Sequence, residues 1–251
     1  MIKKIIFVLL LMVVIFSTSA LADNCGGIVQ CHCGNMLVES QVMWYDLLNC
    51  PGDGLTIGGN HIILNCNNHL IDGDDSGILD AGLFIYAPET TITNCNIQEF
   101  HFGIYMNKYS SNNIITYNRV NNNYFGIFLD ECSNNNVLLD NIASHNRWIG
   151  INLWWANDNV LSNNTINNNK YGIYVFSSYN NNIWSNNLVN NRNNAFDNRG
   201  SNNWNVSFVG NYWNDFPSNP GYPNYYIIPG SSNSIDWYPI WNISNFTGVL
   251  E

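Results

Sequence analysis

A length of 251 residues is enough for one large domain, and the formal net charge is −10 at pH 7. Only 8 residues are Lys or Arg, so the clustered cations that bind nucleic-acid phosphates are missing and we expect no nucleic-acid partner. About a fifth of the residues are Asn, a composition seen in disordered polar tracts. The aromatic fraction of 14% argues against disorder, because it gives the chain a core to bury.

Residues 1–22 have the three-part order of a secretory signal peptide. Two lysines precede the apolar stretch Ile5–Phe16, and Ala20-Leu21-Ala22 forms a small-x-small cleavage site. The apolar stretch is shorter than the roughly 20 residues of a spanning helix, which favours cleavage over a retained membrane anchor. We therefore expect a mature chain that begins at Asp23, is secreted or extracytoplasmic, and has no membrane span after cleavage.

Four of the seven cysteines crowd the start of the predicted mature chain. Export places them where disulfides persist, so we expect two bridges in a cysteine-rich N-terminal cap. The pairing stays open, because spacing alone does not determine it. A metal site is the alternative, since Cys31-His32-Cys33 groups three soft ligands, although the CxxC spacing of zinc sites is missing. The four residues are Cys25, Cys31, Cys33 and Cys50.

The dominant feature of the sequence is an internal repeat of about 23 residues. A Gly followed by an aliphatic residue recurs at Gly82, Gly103, Gly126, Gly150 and Gly172. Apolar residues alternate over a few positions and then give way to Asn and Ser, unlike the i, i+3, i+4, i+7 pattern of helical repeats. Three tracks keep an interval of 23 residues: Asn113, Asn136, Asn159 and Asn182; Asn118, Asn141, Asn164 and Asn187; Val120, Ala143, Ile166 and Val189.

These tracks predict an all-β fold, a right-handed, single-stranded parallel β-helix (solenoid) of about seven coils. Each coil contributes three short strands, and successive coils stack at about 4.8 Å. Asn side chains are expected to stack at a turn as amide ladders, and the Gly track to mark positive φ or a close backbone approach. The predicted core columns are Ile104, Ile127, Ile151 and Ile173; Met106, Leu129, Leu153 and Val175; with the tracks Ile114 to Ile183 and Val120 to Val189 lining the other walls.

The repeat also predicts how the solenoid is closed. Ile63-Leu64-Asn65-Cys66 is echoed by Ile92-Thr93-Asn94-Cys95, so adjacent coils would bring Cys66 and Cys95 within disulfide reach and leave Cys132 as the odd thiol. Open ends of a strand stack must be covered, and the cysteine-rich start and the aromatic end are the expected caps. The predicted divisions are a signal peptide (1–22), the N-terminal cap (23–54), the coils (55–209) and a C-terminal capping segment (210–251).

Two segments resemble the NosD-type β-helix family, which belongs with pectin-lyase-like folds and the carbohydrate-associated CASH domains. Ile63 to Gly73 (ILNCNNHLIDG) resembles its I-x-L-[D/N]-x-N-x-H-x-I-x-G strand, and Gly210 to Phe216 (GNYWNDF) resembles its closing motif. The resemblance covers roughly residues 45–241 and implies a fold more than a reaction, while the family's name implies periplasmic copper delivery. A calcium-binding run common in the family's tail is replaced here by residues 217–235, which contain no carboxylate.

Candidate catalytic residues are sparse. Inverting hydrolysis needs paired carboxylates, and the only Asp-Asp pair, Asp74-Asp75, lies in a Gly-rich turn. Lyase or epimerase chemistry needs a base beside the sugar, and Asp130 and Asp140, with Glu131 and His145 nearby, are the remaining candidates. Isolated acids at the turns of a repeat are usually solvated, so we assign no catalytic residue.

Copper is the other chemical hypothesis, because soft metal sites use clustered His, Met and Cys. Among the histidines only His61 and His69 could meet across one coil, and Met106 lies on an inward track. We therefore predict no metal site and no cofactor. The five histidines are His32, His61, His69, His101 and His145.

Outward positions on the first strand of each coil form an aromatic column. Sugar faces stack on such rings, and Asn amides offer donors and acceptors to hydroxyl groups. Packing is the alternative reason for the column, because aromatic residues suit neighbouring parallel strands. The predicted carbohydrate-binding residues are Phe84, Tyr105, Phe128, Trp154, Trp155, Tyr174 and Phe196.

The sequence thus favours an exported, monomeric, non-enzymatic β-helix that acts as a surface or adhesion scaffold. Its expected partner is a polysaccharide or cell-surface glycan bound along the aromatic column. A carbohydrate-active lyase, hydrolase or epimerase is the second hypothesis, and a NosD-like copper-binding protein is the third.

Overall fold

The computed structural model describes residues 23–76, 79–199 and 201–241, so the predicted signal peptide (1–22) lies outside the described residues. Short strands dominate these ranges, and they contain no α-helix. A helix that is long and apolar enough to cross a membrane is likewise not found in this part of the chain.

Three parallel sheets, named A, B and C, form the side walls of a β-helix of about eight turns, close to the seven expected. Each turn passes from a strand of sheet A to one of sheet B and then to one of sheet C. Sheet A contains Asn24–Cys25, Asn35–Leu37, Leu55–Ile57, Ala81–Ile85, Phe102–Met106, Phe125–Leu129, Ile149–Trp154, Tyr171–Phe176 and Asn193–Asp197. Sheet B contains Gln41–Val42, Ile63–Asn65, Thr91–Thr93, Ile114–Thr116, Val137–Leu139, Val160–Ser162 and Asn182–Trp184. Sheet C contains Leu47–Cys50, Leu70–Gly73, Asn96–Gln98, Arg119–Asn121, Ile142–Ser144, Thr165–Asn167, Asn187–Val189 and Tyr212–Trp213.

The corner between sheets B and C is made by a single left-handed residue in each turn. These residues have φ between 53° and 56° and fall directly after the sheet B strand. Asn and Asp tolerate this conformation, which is why an Asn-rich chain can turn sharply without Gly. The corner column is Asn94, Tyr117, Asp140, Asn163 and Ser185.

The predicted core columns of sheet A are confirmed. Ile104 and Met106 and their equivalents in the next three turns are fully buried and pair in register. The prediction for sheet B is wrong by one residue at Ile114, which is 43% exposed while its neighbour Ile115 is buried, but right at Ile183. In sheet C the predicted Val189 is replaced by Leu188 as the inward residue of the last turn. The inward columns of the other walls are Ile115, Leu138, Leu161 and Ile183 in sheet B, and Val120, Ala143, Ile166 and Leu188 in sheet C.

Three asparagine ladders run along the corners, and each Asn donates its backbone N–H to the side-chain oxygen of the Asn one turn later. The ladders confirm the predicted stacking but correct its last step, since Asn181 and Asn186 take the places predicted for Asn182 and Asn187. The side chain of Asn187 lies on the outer face of sheet C, where it pairs with Thr165. The ladders are Asn113, Asn136, Asn159, Asn181 and Asn202; Asn118, Asn141, Asn164, Asn186 and Asn211; Asn123, Asn146, Asn169 and Asn191.

The shift arises from small changes in turn length. Gly126 and Gly172 each lie three residues after a ladder Asn, whereas one extra residue separates Asn146 from Gly150. From this turn onward the connection from sheet A to sheet B is one residue shorter: Phe128 and Val137 are nine residues apart, and Asn152 and Val160 are eight. In the turn of Gly150 the extra residue and the shorter connection cancel, so that turn keeps 23 residues. The next turn has only the shorter connection, so it has 22 residues.

The Gly track marks a close approach of backbones and not positive φ. A Cβ at Gly126 would lie 2.3 Å from the carbonyl oxygen of Gly150 and 2.8 Å from the ladder amide of Asn146. The first strand of each turn therefore passes directly over the next strand's backbone and a ladder side chain, which leaves no room for a side chain.

Both ends of the core are covered. Two disulfides, Cys25–Cys31 and Cys33–Cys50, close the N-terminal end, and Cys66–Cys95 joins adjacent turns as predicted. Cys132 is a free, exposed thiol. At the other end, a short antiparallel pair (Tyr226–Ile227 with Ile235–Asp236) carries Tyr226 onto Trp213, whose rings stack at 4.0 Å.

Candidate functional site

The outer face of sheet A carries the predicted aromatic column. Register pairs Phe84 with Tyr105, Tyr105 with Phe128, and Tyr174 with Phe196, and all five rings are partly exposed. Asn152 interrupts the column between Phe128 and Tyr174. Alternation puts these positions outside, because the residues on either side of each ring point into the core.

Two further columns run beside it, and neither contains a residue of the predicted carbohydrate-binding set. One contains Phe102, Phe125, Ile149, Tyr171 and Asn193. The other precedes it by one residue and contains His101, Tyr124, Trp148, Lys170 and Arg192. The residue before each Gly of the track lies two positions before an inward aliphatic residue, as Phe102 does before Ile104, so simple alternation predicts that it points inward and does not reveal the second column. We call the three columns together the aromatic wall.

The rings of the aromatic wall stack along the helix axis. His101 and Tyr124 lie 4.9 Å apart and 13° from parallel, and Tyr124 and Trp148 lie 6.3 Å apart and 4° from parallel. Phe102 and Phe125 stack at 5.3 Å and 14°. Rings at these distances overlap in an offset stack, so each presents its edge, its polar tip and only the uncovered part of its face to the solvent.

The two predicted tryptophans lie at the far edge of sheet A. Trp154 stacks on Phe176 at 4.2 Å and is 37% exposed, so it extends the strip beyond the first column. Trp155 follows at the corner with φ of 54°, outside the strand. The structure therefore brings Trp154 to the same surface and leaves Trp155 beside it.

Asn152 is a buried polar gap in the wall. Its side chain is only 2% exposed, and its carbonyl oxygen has no hydrogen-bond partner within the described ranges. The gap separates the rings around Phe128 from those around Tyr174 on the first column. Across this turn, Trp148 of the third column contacts Tyr171 of the second column at 6.2 Å, with the ring planes tilted by 51°.

Polar groups at the edges of the wall are largely engaged. The Tyr105 hydroxyl donates to the Asp130 carboxylate, and burial together with that carboxylate raises the pKa of Tyr105 well above its usual range. Burial lowers the pKa of His101. The Lys170 ammonium lies 3.3 Å from the centre of the Trp148 ring, a cation–π contact.

The candidate catalytic residues do not converge. Asp130 and Glu131 follow a strand of sheet A, where Glu131 pairs with Lys108 at 3.2 Å. Asp140 lies at the corner between sheets B and C, and His145 follows the sheet C strand. Asp130, Asp140 and His145 therefore lie at three different corners of one turn. Asp74 accepts hydrogen bonds from Ser76, and its neighbour Asp75 pairs with Arg147 in an exposed turn.

The side chains that bind copper in proteins do not form a cluster here. Cys31 and Cys33 are both in disulfides and offer no thiolate, and Met106 is fully buried in the core. His61 pairs with Glu89 and His69 with Asp46, so the two histidines that could have met across one coil each have a carboxylate partner of their own. Nowhere in residues 23–76, 79–199 and 201–241 do three His, Cys, Asp or Glu side chains converge. These residues do not fit a preformed copper site.

Solved structures share the architecture at low identity. The Dettilon tailspike protein matches with a TM-score of 0.50 and 19% identity, over 67% of this chain and 39% of its own. The periplasmic alginate epimerase AlgG, as its T265N mutant, matches with a TM-score of 0.49 and 19% identity, over 65% of this chain and 38% of its own. The chain thus spans less than two fifths of either protein, and the likeness to the tailspike protein shows the fold alone.

Comparison with curated proteins gives no match. A family model described as "Periplasmic copper-binding protein (NosD)" matches residues 34–218. That match covers most of the described β-helix, including every complete turn of the three sheets from Asn35 to Val189. The chain therefore belongs to the NosD family.

Proposed function

We propose that this protein is an extracytoplasmic β-helix that binds polysaccharide along the aromatic wall and does not cleave it. The observation that carries the proposal is the stack from His101 through Tyr124 to Trp148 on an uncovered sheet face. Parallel sheets usually have both faces covered, so half-exposed rings on the outside of sheet A represent apolar surface without a protein partner.

Sugar rings fit such a surface better than other common ligands do. The apolar faces of pyranose rings pack on aromatic rings, and the repeat of the stacked turns, about 4.8 Å, matches an extended polymer more than a compact molecule. Amide and hydroxyl groups at the edges, such as those of Asn107 and Tyr174, supply donors and acceptors for sugar hydroxyls.

Location and chemistry support the same function. Three disulfides favour an oxidising compartment outside the cytoplasm. The dispersal of Asp130, Asp140 and His145 over three corners favours binding without turnover, because acid–base catalysis needs its groups within reach of one bond.

A glycan array followed by titration calorimetry tests the proposal. We expect Tyr124→Ala plus Trp148→Ala to weaken binding about tenfold or more, since each aromatic contact contributes about 1 kcal/mol. Tyr105→Ala plus Tyr174→Ala should weaken it similarly. Trp44→Ala is the matched control, because Trp44 is 68% exposed but lies away from sheet A, between strands of sheets B and C.

The far-UV circular dichroism of each variant must match that of the parent chain. Unchanged affinity in both wall variants would refute the wall as the binding site. New reducing ends or unsaturated products from the bound glycan would replace the binding proposal with an enzymatic one.

A further inference from the structure

Two of the few cations in this acidic chain lie next to each other on the aromatic wall. Lys170 follows Trp148 on the third column, and Arg192 follows Lys170 one turn later. Register supports this placement, because the next residues, Tyr171 and Asn193, pair directly on adjacent strands. Adjacent strands are about 4.8 Å apart, so the two side chains leave neighbouring points of the same column.

Neither cation has an acidic partner among the described residues. Lys108 and Arg147, in contrast, each have an acidic partner: Glu131 at 3.2 Å for Lys108 and Asp75 at 2.9 Å for Arg147. The carboxylate that approaches this end of the wall, Asp215, accepts hydrogen bonds from Asn194 at 2.7 Å and from the Tyr226 hydroxyl at 3.1 Å.

Like charges opposite each other on adjacent strands are destabilising. A chain with a net charge of −10 has acidic residues in excess, yet none is placed beside Lys170 and Arg192 as one is beside Lys108. An anion held between the two side chains would remove the repulsion. The pair therefore has the character of a binding site and not of a structural ion pair.

The position of Lys170 connects this site to the stacked rings. Its ammonium lies 3.3 Å from the centre of the Trp148 ring, so it occupies the face on which a sugar would stack. Lys170 and Trp148 are both half-buried, and a sugar ring that displaces the ammonium to the ring's edge replaces the cation–π contact with its own stacking contact. There the ammonium and the Arg192 guanidinium, which binds oxyanions in a bidentate manner, meet a group carried by the same sugar.

We propose that the aromatic wall selects acidic polysaccharides, with the sugar rings stacked on Tyr124 and Trp148 and a carboxylate or sulfate group bound by Lys170 and Arg192. This inference rests on the proposed function and narrows its ligand class. Both anions share the chemistry that the two cations recognise, and the choice of glycan separates them.

Homogalacturonan provides the direct test, since its de-esterified and methyl-esterified forms differ in charge but share one backbone. We expect the de-esterified form to bind at least about tenfold more tightly at low salt, with the advantage lost at high salt. Dextran sulfate against dextran forms the second arm, which tests sulfate in place of carboxylate. A preference in one arm only identifies the anion.

Lys170→Gln plus Arg192→Gln should abolish the preference for the charged form and leave the weaker neutral binding in place. Lys108→Gln plus Arg119→Gln is the matched control, because it removes the same charge at the opposite edge of sheet A and on sheet C. Equal affinity for charged and neutral forms, or an equal loss in the control, would overturn the inference. If charged and neutral forms bind equally and Tyr124→Ala plus Trp148→Ala still weakens that binding, the proposed polysaccharide binding stands and only the preference for acidic glycans is rejected. If no glycan of either arm binds, both the proposed function and this inference are rejected.

Discussion

The backbone N–H of Asn211 donates to the carboxylate of Asp236 at 2.7 Å, where the ladder that runs through Asn118 ends. The other two ladders also end on carboxylates, through side-chain amides. Asn202 donates to Asp197 at 3.1 Å, and Asn191 donates to Asn194, which donates to Asp215 at 2.7 Å. Every ladder donates toward the C-terminus, so its last member needs an acceptor that has no donor of its own. An ionised carboxylate is the side chain with that property.

The Asp236 carboxyl makes stability depend on pH. Burial raises the pKa of Asp236 to about 6, although hydrogen bonds from Asn211, Trp213 and Tyr238 act in the opposite direction. Folding therefore takes up a proton between the unfolded pKa of 3.8 and the folded value of about 6, and this stability is lost as the pH rises through 6. We expect the parent chain to gain about 1 kcal/mol between pH 7 and pH 5 relative to Asp236→Asn, measured by thermal unfolding.

The Asp236→Asn reference is needed because other carboxyls act in the opposite sense. Hydrogen bonds from Leu70 and His69 lower the pKa of Asp46, so its contribution is lost as the pH falls. A difference between the parent chain and Asp236→Asn that stays constant with pH would contradict the prediction.

The register of the ladders can be tested with two neighbouring asparagines. Asn186→Ala removes the acceptor of Asn164 and the donor to Leu161 and Asn211, and should lower the free energy of unfolding by about 2–4 kcal/mol. Asn187→Ala should cost less than about 1 kcal/mol, because its side-chain oxygen has no partner among the described residues. Denaturant unfolding of both variants decides, and a larger loss at Asn187 would show that the 23-residue spacing continues.

The close approach at the Gly track should make Ala intolerable there. Gly126→Ala places its Cβ 2.3 Å from a carbonyl oxygen of the next turn, and neither backbone can move without breaking ladder hydrogen bonds. We expect a loss of about 3 kcal/mol or more in the free energy of unfolding. Gly52→Ala, where no atom lies within 4 Å of the added Cβ, is the control and should be close to neutral. Equal stability of the two variants would exclude the steric argument.

The Cys66–Cys95 disulfide joins two turns across 29 residues, and both cysteines are fully buried. Cys66→Ala plus Cys95→Ala should lower stability by about 3–4 kcal/mol through the added freedom of the unfolded chain. Cys132→Ala should change it by less than about 0.5 kcal/mol, since that thiol is exposed and unbonded. Calorimetric unfolding of the three proteins compares them, and similar melting temperatures throughout would contradict the prediction.

The sequence predicted the solenoid because its Asn and aliphatic tracks report contacts between turns directly. It misplaced Ile114 because a three-residue strand shows too little alternation to reveal which residue faces inward, and Ile115 is the buried one. It misplaced Asn187 because two single-residue length changes cancel in the turn of Gly150, whereas only the shortening is present in the next turn.

Part of the candidate site was predictable for the same reasons. The column of Tyr105 and Phe128 follows from alternation after each Gly. The column of Tyr124, Trp148 and Lys170 breaks the aromatic pattern and crosses the turn with the extra residue, so only the three-dimensional register aligns it. The absence of acidic side chains beside Lys170 and Arg192 depends on distances in the folded structure, which the spacing of residues along the chain does not show.

Each ladder Asn bonds to the Asn residues one turn before and one turn after it, and the carboxylates that finish the ladders, Asp197, Asp215 and Asp236, lie in the last strand of sheet A and in the segment that follows it. Duplicating or deleting one whole turn would therefore leave every remaining bond and both end closures intact. The length of polymer that the outer face can contact is then set by the number of turns that the gene encodes. It changes by one turn at a time and does not depend on the structure of either end.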